Sequence, residues 1–560
     1  MADSPGDLRA RMTWHWPLWL ALGVLWLTRG LLLALDVFPF NSDEAVVALM
    51  ARHTLAGNPP VFFYGQAYMG SLDAIFSAVV MGVIGQQPLA IRLVQAGLYS
   101  GTLVLVYLLA LRLFGARWAA GAAALLMAVP TVLMTLYASV SLGGYGEMLL
   151  AGHALLLWTL RLQADERHWG EWLGWGALAG LAFWAFGFVG VYIAPAGLVL
   201  GWPLLQPANW RGERRSFLFG RLLRLAILGL GFVVGASPWW WATLTGGLAT
   251  LRELTGEHIG QASPWYVQVG LRLFSLVLFG STVVSGLRPP WSVEILALPL
   301  APFGLILALG ALGYGLWKLR RADTSAEAKL GLGLVYGVLA TNAAGFVLTS
   351  FGNDPSGRYF LPMAAAAALL GGGLLNELRQ RRAVLANVAL GGWLLFHAVG
   401  HAQVTADYLW GDGPGFTTQF DAVAQVDRRY DDELLAFLRA EGELRGYGNY
   451  WVTFPLAFRS AEEVQYVARL PYHENFAYTP RDDRYEPYRV AVAEAERVAY
   501  ITTNHPVLND YLRAEFARLG VTFAEAEIGD YTVFYDLSRV VRPQEIGLGE
   551  NFLGFTDDER

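Results

Sequence analysis

The stretch Pro39-Phe40-Asn41-Ser42-Asp43-Glu44 follows directly on an apolar run, residues 17–37. That run is long enough to span ~30 Å of hydrocarbon. Asn41 or Ser42 supplies a helix N-cap and Gly57-Asn58-Pro59-Pro60 supplies a stop, so residues 42–56 read as a helix. Its first turn carries two adjacent acids at a membrane edge, and long apolar segments follow. The ordinary reading of such acids is that they complement the helix dipole, worth ~0.3–1 kcal/mol each. The functional reading is a general base, a carboxylate in a partly dry site that takes a proton from an acceptor hydroxyl or amine.

The chain has 560 residues, 55% hydrophobic and only 15% charged, which is too apolar for a soluble globular protein. Many of its 21 tryptophans stand near the ends of apolar runs, where amphipathic rings settle at the lipid–water boundary. A net charge of −6 argues against nucleic acid as a partner. The absence of cysteine excludes disulfides, thiolate catalysis and cysteine-ligated metals. Arg9, Arg11 and His15 precede the first run, whose length marks an anchor and not a cleaved signal peptide.

Candidate spans fall at 17–37, 93–112, 118–137, 147–163, 172–189, 190–205, 222–241, 293–317, 330–350, 359–377 and 383–401. Basic clusters set their direction. Arg9/Arg11, Arg112/Arg117, Arg161/Arg167, the group Arg211 to Arg224, Lys318/Arg320/Arg321 and Arg379/Arg381/Arg382 all belong on the cytoplasmic side. One threading of about eleven spans satisfies them, with residues after ~402 outside. The stretch 71–85 is too short to cross and reads as interfacial or re-entrant. The stretch 266–287, interrupted by Arg272 and Arg288, reads the same way; if both cross, the count rises to about thirteen.

The predicted architecture is a polytopic α-helical membrane module over residues 1–401, with an outer loop at 38–92, followed by an extracytoplasmic soluble α/β domain over 402–560. Residues 411–415 read as the linker. Helices are expected at 431–441, 451–460, 484–496 and 506–519, and strands at 444–450, 463–469, 497–503, 522–528 and 531–537. Their alternation predicts a mostly parallel sheet. Residues after about Pro543 read as loosely ordered.

Chemistry concentrates in the outer segments. Asp43 and Glu44 are the candidate bases. His53, two to three turns along their helix, is either a second proton-transfer group or polar surface. Tyr64, Gln66 and Tyr68, in an aromatic stretch interleaved with Gly, suit sugar stacking or an interfacial belt. Arg92 and Arg358 stand at outer ends against the positive-inside trend. Each needs a partner: a phosphate, which matches the guanidinium fork, or an acid such as Asp36, Asp73, Glu147, Glu294 or Asp354. Glu147 opens another span after Gly143-Gly144-Tyr145-Gly146 and is either a cavity carboxylate or a dipole partner. His397 and His401 share a helix face but have no matching acidic ligand nearby, and there is no P-loop, dinucleotide fingerprint or zinc motif.

Asn41-Ser42-Asp43-Glu44 after the first span, the loop Gly65-Gln66-Ala67-Tyr68-Met69-Gly70-Ser71, Gly85, Arg92-Leu93, Arg112-Leu113-Phe114-Gly115 and Arg358-Tyr359-Phe360-Leu361-Pro362 together resemble the GT-C superfamily of glycosyltransferases. The likeness is to the bacterial branch with protein O-mannosyltransferases and the aminoarabinose transferase of lipid A. It implies an inverting transfer of a sugar from a polyprenyl-phosphate donor to a glycan, lipid or protein acceptor. The site would lie on the outer face of the cytoplasmic (inner) membrane, among membrane lipids, with no divalent metal implied. It implies Asp43 as base with Glu44 beside it, and Arg92 and Arg358 at the donor phosphate. His53, Tyr64, Gln66, Tyr68, Glu147 and Tyr359 would then contact substrate. Tyr64-Gly65-Gln66 stands where the family often has His-Pro-Pro or Lys-Pro-Pro. The competing expectations are a transporter or flippase of a lipid-linked saccharide without transfer chemistry, and a non-catalytic scaffold.

Overall fold

The computed structural model describes residues 15–165, 168–206, 215–246, 264–354, 356–473, 476 and 478–549. Arg9, Arg11, Arg167, Arg211 and Arg214, used above for direction, lie outside them. Among the described residues nine helices are long and apolar enough to cross a membrane: Trp16–Ala34, Pro88–Phe114, Gly187–Leu205, Leu218–Gly235, Trp265–Val284, Ala301–Arg320, Ala326–Leu348, Arg358–Arg381 and Ala383–Trp410. Tyr145–Ala164, Trp169–Ala185 and Arg117–Ala128 complete the bundle.

Several expectations change. The stretch 118–137 is not one helix: Pro130 lacks an amide hydrogen, so Arg117–Ala128 stops and Val132–Tyr137 restarts on a Thr131 cap. The stretch 266–287 is not interrupted by its arginines. It forms Trp265–Val284, with a π-helical turn at Leu276–Gly280. Arg272 donates to Gln268 Oε1 (2.6 Å) and Asn353 Oδ1 (2.8 Å), and Arg288 to Ser292 O (3.0 Å), so the charges are held by hydrogen bonds. The stretch 71–85 does stay short, as the 13-residue helix Leu72–Ile84.

Backbone approach, not side-chain bulk, cements part of the bundle. A Cβ on Gly176 would lie 2.0 Å from Leu228 O, and one on Gly235 2.0 Å from Ala177 O, so Trp169–Ala185 and Arg215–Gly235 meet through small residues. Arg112 pairs with Glu327 and donates to Leu160 O (3.1 Å). Lys318 pairs with Glu377 (3.2 Å), and Arg379 stacks on Trp118 (5.1 Å). The clusters around Arg112, Lys318 and Arg379 therefore lie near one another at one end of the bundle.

The helix Ala383–Trp410 runs past the expected boundary at 401 and ends at Gly411. Beyond it lie five strands, β3 (Arg445–Gly448), β4 (Gln465–Ala468), β5 (Ala499–Thr503), β6 (Ala524–Ile528) and β7 (Tyr531–Tyr535); β1 (Phe62–Phe63) and β2 (Gln66–Gly70) form a separate hairpin. The order is β4-β3-β5-β7-β6. The sheet is mixed and not mostly parallel: β4, β3 and β5 are parallel, while β7 and β6 are antiparallel because Gly529 (φ 55°) closes a two-residue hairpin. Of the stretch expected to be loosely ordered, residues 543–549 are packed, with Ile546 and Leu548 buried, and 550–560 lie outside the described residues. The helix Tyr450–Arg459 faces both ways. Val452 and Leu456 join the sheet core, while Tyr450, Phe454 and Phe458 enter the core of the bundle. This helix fixes the C-terminal segment over the helix Ser42–Leu55.

Candidate active site

Asn41 caps Ser42–Leu55 by accepting from Glu44 N (3.0 Å), as its sequence requires. The two acids of the first turn then diverge by about 100°. Glu44 is fully buried. Arg92 grips it through Nε to Oε1 (3.1 Å) and Nη2 to Oε2 (3.2 Å), and also reaches Phe38 O (2.7 Å) and Asp36 (3.5 Å). Burial raises the Glu44 carboxyl above the usual carboxylate value, against the pull of Arg92. Of the partners open to Arg92 in the sequence, the acids are the ones it has found.

Asp43 faces the C-terminal segment. Tyr450 Oη donates to its Oδ1 (2.5 Å), and Arg484 Nη2 approaches the same oxygen (3.3 Å). Arg484 stacks over Tyr450 (4.6 Å) and Phe63 (5.3 Å), and Ser42 donates to the Tyr450 carbonyl. Asp482 lies buried beside them. Burial raises its carboxyl to about 7, with the Asp43 charge adding to the shift and Arg484 opposing it. Tyr450, Arg484 and Asp482 were not among the predicted site residues. Tyr450 lies in the aromatic stretch 447–451 and Arg484 opens another at 484–488, a composition that suits sugars or a core, while Asp482 lies outside both.

Arg358 holds Asp354 through Nε (2.6 Å) and stacks on Tyr359 (5.5 Å). Tyr68 lies within electrostatic reach of Arg358, Arg481 and Arg484. Tyr137, whose hydroxyl donates to Ser356 O (3.0 Å), is within reach of both Arg358 and Asp43. The hairpin strand β2, the 3-10 turn at Arg358–Phe360 and the loop before Glu486–Ala493 thus converge on one polar end. Behind it opens a cavity of about 440 Å³ between Gly187–Leu205 and Ala326–Leu348. Its walls include Tyr68, Phe186, Phe188, Phe351 and Tyr359, and apart from the tyrosines, Thr341 and Thr349 its side chains are apolar.

The other predicted residues fall elsewhere. His53 Nδ1 bonds Tyr64 Oη (2.6 Å) and its Nε2 bonds Glu462 (3.1 Å), which also accepts from Tyr488 Oη (2.9 Å). Burial works against ionisation of Glu462, but the bonds from His53 and Tyr488 prevail and hold its carboxyl below the usual value. This second cluster fastens Ser42–Leu55 to the C-terminal segment. Gln66 sits in β2, paired with Phe63. Glu147 is buried next to Asp73, which accepts from Gln95 (2.9 Å) and Ser141. Neither Glu147 oxygen has a hydrogen-bond partner among the described residues. His401 bonds Thr135 (2.8 Å) and His397 bonds Val129 O (2.8 Å).

The chain thus combines a multi-span bundle, an acid-headed helix after the first span and a small mixed sheet folded back over that helix. Residues 72–241 match the model of the dolichyl-phosphate-mannose-protein mannosyltransferase family. The structure is similar to ArnT from Cupriavidus metallidurans bound to undecaprenyl phosphate, with a TM-score of 0.58 and 16% identity over 96% of this chain and 99% of that one. It is also similar to the Archaeoglobus fulgidus oligosaccharyltransferase in complex with zinc and sulfate (TM-score 0.52, 14% identity, 89% of this chain and 69% of that one). The oligosaccharyltransferase AglB of the same organism, in complex with an inhibitory peptide and a dolichol-phosphate, gives a TM-score of 0.51 at 12% identity, over 95% of this chain and 74% of that one. No curated protein matches the sequence.

Proposed function

We propose that the protein is a glycosyltransferase that moves a sugar, with inversion, from a polyprenyl-phosphate donor to a hydroxyl or amine of a glycan, lipid or protein acceptor. The reading carries the matched mannosyltransferase segment and the shared fold into chemistry. One observation supports it most: Asp43 and Arg358 stand at the same polar end, with an apolar cavity of about 440 Å³ behind Arg358's neighbour Tyr359. In this reading the cavity takes the first isoprene units and the donor phosphate rests against Arg358, whose Nε edge is the one given to Asp354. Asp43 takes the acceptor proton on Oδ2, because Tyr450 and Arg484 both occupy Oδ1. The acceptor atom attacks the anomeric carbon from the face opposite the phosphate. The carbon–oxygen bond to phosphate breaks, and the leaving polyprenyl phosphate carries the charge to the guanidinium.

Tyr68 and Tyr359 line the sugar's side of the cavity in this reading. Glu44 and Arg92 neutralise each other and hold the helix in place, so phosphate binding passes from Arg92 to Arg358 alone. The positive-inside trend supports a location of this end, and of the segment after Trp410, outside the cytoplasmic membrane. The test uses purified protein in liposomes with a radiolabelled polyprenyl-phosphate sugar and a mixed acceptor extract. Asp43→Asn is expected to bind donor and not to transfer; transfer at the wild-type rate would end the assignment.

A further inference from the structure

A second hollow, of about 530 Å³, lies where the C-terminal segment meets the bundle. Asp36 comes to it from the end of the first span, Asp412 from the linker, and Asp427 and Asp530 from the C-terminal segment, with Arg429 the one basic residue in its wall among the described ones. A neighbouring hollow of about 430 Å³ shares Asp412 and Gln425 with it, and adds Glu294, Asp407 and the ring of Trp291 without a basic residue among the described ones. Arg429 is engaged by Asp427 (2.6 Å), so the combined lining is strongly anionic. Acids alone would be an ordinary solvated surface. Gln419 is different: it lines the larger hollow, is only 1% exposed, and its Nε2 has no hydrogen-bond partner among the described residues. A buried amide nitrogen left without an acceptor is costly, and a ligand oxygen would satisfy it.

We propose that these joined hollows bind a saccharide carrying a protonated amine. Carboxylates would take the ammonium group and hydroxyls, the Gln419 and Gln425 amides would bond further hydroxyls, and the rings of Tyr408 and Trp291 would cover apolar sugar faces. The volumes suit two to three sugar rings. Pro39 and Asp36 line the hollow, Asp36 contacts Arg92, and Arg92 holds Glu44 beside Asp43. The cleft therefore flanks the start of the catalytic helix. Resting on the proposed function in this respect only, it is the place for the acceptor's distal sugars.

Isothermal titration of the full chain in zwitterionic nanodiscs, with the glucosamine trimer and its fully N-acetylated form as probes, tests the cleft without needing transfer. The amine form is expected to bind at least tenfold more tightly at low salt, with the advantage shrinking as salt rises. Gln419→Ala and Asp412→Asn are each expected to weaken it about tenfold. Asp412 is exposed on the linker, so its variant reports even if Gln419→Ala does not fold. Equal or no binding of the two probes, or unchanged binding in Asp412→Asn, overturns the proposal. Asp43→Asn should leave this binding intact, so a failed transfer mechanism and a failed cleft give different results.

Discussion

Asp43 and Glu44 are neighbours, both buried, and each meets an arginine, yet they belong to different parts of the molecule. Glu44 is held by Arg92 from within the bundle, 48 residues away, through two parallel bonds at 3.1 and 3.2 Å. Asp43 is held by Tyr450 and Arg484, 407 and 441 residues away, and both contacts fall on one oxygen. Its side chain keeps 12% exposure, while that of Glu44 has none. A dry, bidentate pair has its lone pairs and donors satisfied and is a fixed part of the structure. A carboxylate gripped on one oxygen by residues from another segment keeps its second oxygen for a visitor. Identical chemistry one residue apart is thereby divided into a closed brace and a carboxylate with one oxygen left over.

The largest effect should come from Asp43→Asn, with transfer falling about 10²–10⁴-fold at unchanged melting temperature; an equal fall in stability would erase the contrast with Glu44. Glu44→Gln should do the reverse. It leaves buried Arg92 with only the exposed Asp36 (3.5 Å) as counter-charge, at about 3–5 kcal/mol by denaturation in detergent, and Glu44→Gln combined with Arg92→Met should recover most of that. Arg358→Gln should lower kcat/KM for the lipid donor about 10–100-fold, the scale of a charge-assisted hydrogen bond, with little change in stability. The smallest effect concerns Asp482, whose native carboxyl at about 7 lies above the unfolded value of about 3.9. The native state keeps a proton that the unfolded chain releases, so this group's stability contribution is greatest below the unfolded value and is lost as pH rises to about 7. Melting temperatures at pH 5 and pH 8 should show Asp482→Asn gaining on the wild type at the higher pH.

Hydropathy and caps carried the fold a long way. Asn41 at the head of its helix, the short stretch 71–85 and the helices and strands beyond residue 430 were legible because each rests on local pattern. The break at Pro130 had its local cause on view, but an apolar run masked it. The mixed sheet was hidden in a two-residue turn at Gly529 that composition had no reason to weigh. For the site, the chain near residue 43 pointed to Asp43 and Glu44, but not to which of them is closed by Arg92. Tyr450, Arg484 and Asp482 escaped because nothing in a linear reading brings position 43 beside position 484. Aromatic clusters at 447–451 and 484–488 were a visible trace, and the structure turns both toward the acid-headed helix.

The docking of Arg484 on Asp43 also orders events during synthesis. Asp43 follows the span Trp16–Ala34, and its two partners are translated 407 and 441 positions later. Throughout that interval a growing chain presents a carboxylate without its guanidinium partner, and the pocket closes only once position 484 has been made.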